Sequence, residues 1–553
     1  MAKSRVLVVG LLGIALVLAF AIACGGNATA TPAPTKAPAA TAAPTSAPAA
    51  TAVPTPTKAA APTQPAADAP VYGGTLRYAR NLDAKTFDTT FDINAGSRAV
   101  AHIWLDNLVD ITPDLVLVPR LAQSWSVSPD GKAITLKLIQ GAKFSDGTDF
   151  DGSAVKGYMD RVLDPKVQSN LRGDVATISN ITVPDKYTVT LNLSQPNRTM
   201  LATLADYPGF IHSIAAINKY NSYADRTGEY GKRPTGTGPF VLTQYIPDSQ
   251  IVADKNTNYW DKGRPYLDKV IYQHVPDTKI QLTMLRTGET DLIDLVNASD
   301  FPLIRANPNI KMAQIARGRI HFIGLSWEYA PWDKKALRQA FAYGVDRNAL
   351  ANIYHLGAAE PAYSAAIGWA YNPNIKIYDS NPTKAKEKMV EAGYPNGLTV
   401  DYPCNNISSD IERCEMIQAQ LKLIGLNMNI QPVIPSDYFP NIVARKIHVA
   451  HRWRGPRGDP AIVLEQTFMC KGSGTVMGYC NPKVDGLLTQ AGAIYDTAQA
   501  KQLYDQAQTI IVDDVAAVLT VFTKETNAYN AKLQNYEFIP DLYLRSYKLW
   551  LKK

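Results

Sequence analysis

Hydrophobic positions along the chain change period several times, and each change marks an element. The first run is unbroken: Val6 to Ala23 carries no charge, follows Lys3 and Arg5, and ends at the small residues before Cys24. From residue 72 the pattern shortens. Tyr72-Gly73-Gly74-Thr75-Leu76-Arg77-Tyr78 is a glycine-led strand, and Ile134-Thr135-Leu136-Lys137-Leu138 alternates apolar and polar between Asp130-Gly131 and Asp146-Gly147. That alternation with its turn residues predicts a small antiparallel meander. Helical spacing appears later. Residues 333–343 place Leu337, Ala340 and Phe341 on one face, residues 383–392 lie between Pro382 and Gly393, and residues 412–424 stop at Gly425. The strand-like stretch 426–430 follows directly, so the body is a mixed α/β protein of several lobes.

The opening run reads as a secretion signal, residues 1–23, with a lipidation-type cleavage site before Cys24. Eighteen apolar residues also approach the minimum for an uncleaved spanning anchor. Both readings leave the chain exported and membrane-held. The lipoprotein signals it resembles usually carry Leu three residues before the cysteine, where this chain has Ala21. The next 46 residues, 25–70, hold 18 Ala, 10 Pro and 9 Thr, too little apolar bulk for a core. A Pro-rich tether of this length extends up to about 140 Å. Pro with Thr also suits a glycosylated stalk. Residues 24–70 are therefore expected to be a lipidated cysteine followed by a tether.

Residues 71–553 are more than one core usually serves. The chain carries +7, of which residues 1–70 supply +3 (four Lys or Arg against Asp68). The remaining +4 is spread without a basic stripe, which gives no case for nucleic acid. With Cys24 assigned to lipid, four cysteines remain as Cys404 with Cys414 and Cys470 with Cys480. In an oxidising compartment they read as two disulfides. Nine residues between partners is the wrong spacing for a zinc site, and no metal or cofactor is expected. Phosphate-loop, His-Glu-x-x-His and Gly-x-Ser-x-Gly motifs are missing, so no catalytic residues are assigned.

An ordered set of short motifs carries a resemblance. It starts with Tyr72 to Leu76, Pro119-Arg120-Leu121-Ala122-Gln123-Ser124-Trp125, Ser128-Pro129-Asp130-Gly131 and Lys143-Phe144-Ser145-Asp146-Gly147-Thr148. It continues through Pro234-Thr235-Gly236-Thr237-Gly238-Pro239-Phe240, Asn258-Tyr259-Trp260, residues 338–347, Glu391-Ala392-Gly393-Tyr394-Pro395, Gly458-Asp459-Pro460 and Tyr479-Cys480-Asn481-Pro482. The set resembles family 5 of the extracellular solute-binding proteins, the dipeptide and oligopeptide type of ABC importers. The resemblance implies a two-lobed periplasmic-binding-protein fold, type II, of the large cluster with an inserted domain, closing by a hinge. Lobe 1 would be 71–115, 235–325 and 526–553, the inserted domain 116–234, and lobe 2 326–525, with the hinge near 325 and 525.

It also implies a monomeric receptor that hands an extracytoplasmic solute, peptides first, to permease and ATPase subunits. An oligosaccharide, a metal chelate or an acidic opine-like conjugate is the alternative ligand. A secreted hydrolase and a chaperone-like envelope protein are rivals of other classes.

The richest candidate site is 447–460. Read as a strand running into a loop, Ile447, Val449, His451 and Trp453 share one face, and Ala450, Arg452 and Arg454 the other. His448 and His451 then point oppositely. Turn residues put Arg457 and Asp459 on an exposed tip. In dipeptide-binding relatives an aspartate after the first glycine anchors the peptide ammonium; here that position is Pro456. Three arginines around it suit an anionic group, because a guanidinium presents a planar fork to carboxylate; they also suit a solvated charged face. Trp453 is a core aromatic or a stacking platform. Asn94, Ala95, Gly96 and Ser97 form a second candidate, with helix-start N–H groups open to an anion or Ser97 acting as a cap. Trp369, after Gly368, is a third, placed by family position.

Overall fold

The computed structural model describes residues 69–91, 95–226, 228–455, 458–472 and 477–553. The leader, Cys24, the tether, Asn94, Pro456 and Arg457 lie outside the described residues. Among the described residues no helix is long and apolar enough to cross a membrane.

The glycine-led segment becomes β1 (Thr75–Arg80). Gly73 and Gly74 precede it at φ of 100° and 94°, a region that side chains with a Cβ avoid. β1 runs parallel to Lys269–His274 on one side and to Leu292–Ile293 on the other. α1 (Ala95–Trp104) buries Val100, Ile103 and Trp104 in the same core. The expected meander is present as a four-stranded antiparallel sheet in the order Ala122–Val127, Ala133–Leu138, Thr188–Leu193, Ile178–Asp185. This sheet packs into the first core, which takes residues from 76 to 292 and from 533 to 549.

A second core draws on residues 320–522. Two long strands join it to the first half of the molecule: β2 (Ile310–Leu325) and, after α2 (Ser408–Lys422), α3 (Pro435–Val443) and β3 (Val449–Arg454), β4 (Ala517–Asn530). β2 and β4 pair antiparallel from Ile310↔Asn530 to Gly324↔Ala517, with register shifts between Ile315 and Arg319 and between His321 and Phe322. The main sheet runs β3, β2, β4, Leu292–Ile293, β1, Lys269–His274, Gln250–Lys255, Phe240–Ile246, with Ala359–Pro361 also on β4. At the first register shift Gly318 meets Glu525; a Cβ there would lie 2.0 Å from the Glu525 side chain, so only glycine lets the strands pass.

The expected helices occur as Lys335–Gly344, Pro382–Glu391 and α2. α2 starts four residues before the expected Glu412, with Asp410 in its first turn, where a carboxylate favours the helix dipole. It ends at Lys422 rather than Ile424, ahead of Gly425 at φ 84°. The C-terminal segment returns to the first core, where buried Arg545 bridges Asp110 at 2.6 Å and Asp541 at 2.5 Å. A buried charge left alone is expensive, so this pairing ties the segment around Arg545 to the first core.

Candidate ligand-binding cleft

Between the two cores lies a cleft of about 980 Å³, and β3 forms much of its wall on the second-core side. β3 is the edge strand beside β2, in a register that sets His451 opposite Ile323 and Trp453 opposite His321. Side chains alternate along a strand, so His321, His451 and Trp453 share one face. His321 Nδ1 lies 3.0 Å from His451 Nε2, the rings stack at 5.2 Å, and His321 Nε2 lies 3.2 Å from Thr523 Oγ1. Burial, then the Arg413 charge, holds both imidazoles well below their usual pKa. Both are therefore neutral at pH 7, and one ring donates to the other. Trp453 is 46% exposed in the cleft, with the Arg319 guanidinium 4.4 Å from its ring and Arg319 itself paired to Glu525 at 3.4 Å. On the other face Arg452 and Arg454 line the same cleft. Arg452 rests 5.2 Å from the Phe439 ring of α3.

The first-core wall is built on Arg98 of α1 and on residues between 170 and 208 that flank the four-stranded sheet. Arg98 of α1 pairs with Asp206 and lies 4.3 Å from the Tyr207 ring; Tyr543 also donates to Asp206. Beyond the cleft the two sides touch. Arg198 crosses into the second half of the molecule, where its guanidinium lies 4.3 Å from the Trp369 ring and 3.8 Å from Asp459, and its Nη2 donates to Thr497 at 3.3 Å. Its backbone N–H donates to Gly492 at 2.9 Å. Tyr495 donates to the carbonyl of Asn197 at 3.1 Å, and Gln466 to Asp174 at 3.4 Å. The side chain of Arg198 is 7% exposed, so the walls are closed on each other.

Of the residues proposed from sequence, Trp453 and Arg454 line the cleft. Trp453 takes the exposed position rather than the core one. Asp459 is buried, not on an exposed tip: its Oδ1 accepts the Ala461 N–H at 2.8 Å and its other oxygen faces Arg198. Loop composition gave no sign that a distant arginine covers it. Trp369 is the seat of that arginine. Ala95, Gly96 and Ser97 are within α1, so Ser97 is not its cap; Ser97 Oγ accepts the Lys85 N–H at 3.2 Å. Asn94 and Arg457 are outside the described residues. His448 lies 4.4 Å from the Tyr329 ring, away from His451, as the alternation required. Arg198, Arg319 and His321 had no sequence signal, since each acts through partners remote in the chain.

Both expected disulfides are formed, Cys404–Cys414 and Cys470–Cys480. The second holds Met469 and Lys471 in the cleft wall. Among the described residues no cluster of His, Cys, Asp or Glu is placed to hold a metal ion.

The profile of bacterial extracellular solute-binding proteins, family 5, middle region, matches residues 116–475. This chain belongs to that family. It is 28% identical over 457 residues to the glutathione-binding protein GsiB of Escherichia coli K12, covering 80% of this chain and 88% of the relative. The periplasmic binding protein DppA from Helicobacter pylori, solved with the peptide STSA, superposes with a TM-score of 0.78 at 25% identity, covering 87% of this chain and 99% of that one. AgaA from A. tumefaciens R10, solved with agropinic acid, gives 0.75 at 26% identity, covering 87% and 99%. The family 5 fold is two-lobed and type II, and the cleft is the space between its lobes. Family 5 proteins bind solutes and are not enzymes, so the neutral histidines and buried carboxylates need no catalytic role.

Proposed function

We propose that this chain is the lipid-anchored receptor of an ABC importer, taking up peptides from outside the cytoplasmic membrane. The observation that carries the reading is the closed cleft of about 980 Å³ with a half-exposed tryptophan in its wall. That volume is at the upper end for small-molecule sites and suits a short peptide. An aromatic platform buries much ligand area with few rotors. Relatives support the class: GsiB is named for glutathione and DppA was solved with a tetrapeptide. A second reading, an acidic non-peptide conjugate, draws on the agropinic acid complex of AgaA and on the arginines of β3.

In this proposal lobe 1 comprises 71–115, 235–325 and 526–553, the inserted domain 116–234, and lobe 2 326–525. The hinge is the β2–β4 pair near its register shifts. Ligand binds the closed form better and so shifts the population toward it. Cys24 carries the lipid, residues 25–70 are the tether, and a monomer presents the closed complex to permease and ATPase subunits.

The test is native mass spectrometry of the full chain purified in detergent from cells grown in complex medium. Retained peptides are the expected result. A single sugar or metal chelate would move the ligand class, and no retention or binding of any solute would refute the receptor role.

A further inference from the structure

The cleft's charges are unequally matched, and the mismatch has a chemical reading. Five carboxylates line it among the described residues: Asp174, Asp206, Asp410, Glu465 and Asp541. Each is already engaged. Asp206 holds Arg98 and Tyr543, Asp541 holds Arg545, and Asp410 takes Arg413 at 2.5 Å and Asn405 at 2.8 Å. Asp174 accepts from Gln466. Glu465 accepts from Tyr504 at 2.7 Å, and burial pushes it up to about 7, so a neutral form is populated near neutrality. None stands open as an anchor for a ligand ammonium group.

The cations differ. Arg98 and Arg319 are paired with Asp206 and Glu525. Arg452 has no carboxylate partner among the described residues; its guanidinium lies 5.2 Å from the Phe439 ring, and burial pulls its pKa down. A guanidinium with one face on an aromatic ring keeps its edge N–H groups for a planar acceptor. Lys471, with no carboxylate partner among the described residues, adds positive charge to the same wall. Buried charge without a counterion is costly, and an anionic ligand removes that cost on binding.

We infer that Arg452, backed by Phe439, is the docking point for a carboxylate of the ligand, and that the ligand requires this anion and no free ammonium group. The inference rests on the receptor reading above and assigns its ligand a charge class.

The experiment is competitive retention by native mass spectrometry, using the full chain and pools of di- to pentapeptides lacking Asp and Glu. The pools are unmodified, N-acetylated and C-amidated, with pools of small carboxylic acids and of neutral oligosaccharides alongside. The wild type should retain unmodified and N-acetylated peptides at least ten-fold better than amidated ones. Arg452→Gln should lose about 10- to 100-fold for carboxylates, as expected for hydrogen bonds to charged groups, while binding amidated peptides as before. Arg452→Lys should recover part of the selectivity, which a merely structural role would not give. Equal retention of the amidated pool, or loss of retention on acetylation, overturns the inference. Retention of carboxylic acids alone sustains it while refuting peptides as ligands; oligosaccharides alone refute both; no retention from any pool refutes the receptor reading and the inference with it.

Discussion

Arg198→Ala should destabilise the closed receptor without touching the ligand pocket. Arg198 follows the four-stranded sheet and places its guanidinium over Trp369 and beside Asp459, both on the opposite side of the cleft. A desolvated cation–π contact contributes about 1–2 kcal/mol. Removing the cation also strands Asp459, whose carboxyl is already raised by burial. Protonation of Asp459 limits that loss, and about 1–2 kcal/mol is a fair figure against the 3–5 kcal/mol of a fully stranded charge. Together they give about 3 kcal/mol, or about 100-fold in the ratio of closed to open forms. A receptor whose binding-competent form is depopulated loses apparent affinity in proportion. The assay is the dissociation rate of the ligand retained on purification, followed by native mass spectrometry after dilution. Arg198→Ala and Trp369→Ala should each speed release 10- to 100-fold, and the double variant should be less than additive, because one contact is removed twice. Release within three-fold of wild type in both single variants would refute Arg198 as a closing contact.

Stability should depend on pH in two opposite ways. Burial lowers His212 and His355 to about 4, and His102, His321 and His451 also lie below their usual value; groups lowered in the native state contribute stability above pH 6.5 that is lost as pH falls toward 4, so Tm should drop between pH 6.5 and 4.5. Glu465, raised to about 7, contributes stability below about 4.5 that is lost as pH rises through 7; Glu465→Gln should raise Tm at pH 8 and leave it unchanged at pH 4.5. Replacing Cys470 and Cys480 by Ser opens a short loop worth about 3 kcal/mol in the chain-entropy model, and urea unfolding should show a loss of that order. Arg161 is fully buried against Asp88 at 2.7 Å; Arg161→Met should cost about 3–5 kcal/mol, and a loss below about 1 kcal/mol in the same assay would show that the pair is not stabilising.

What the sequence made legible was local. The glycine-led β1, the meander at Asp130-Gly131, the helix stop at Gly425 and the two ten-residue cysteine spacings all follow from neighbours in the chain, where turn chemistry and chain reach decide. The pairings that make the cleft are remote. His321 meets His451 across 130 residues, and β2 pairs β4 across some 200. Nothing in the composition of either strand names its partner, because one β-rich run pairs as well as another until the cores form.

The loop at 455–460 shows why alternation and exposure have to be kept apart. Alternation along β3 placed His451 and Trp453 opposite Arg452 and Arg454, and the register with β2 has the same parity. Exposure differs from what the turn residues predict. A Gly-Asp-Pro turn looks solvent-facing by its residues, yet Asp459 is covered by Arg198 from across the cleft. Conversely, opposite faces of a strand ordinarily separate core from solvent, but β3 is an edge strand, and Trp453, Arg452 and Arg454 all line one cleft. An edge has no neighbour to divide its two faces. That is why a wall can offer an aromatic platform and a guanidinium without a carboxylate partner among the described residues at adjacent positions, and why the charge class of the ligand rests on Arg452 rather than on the turn that follows it.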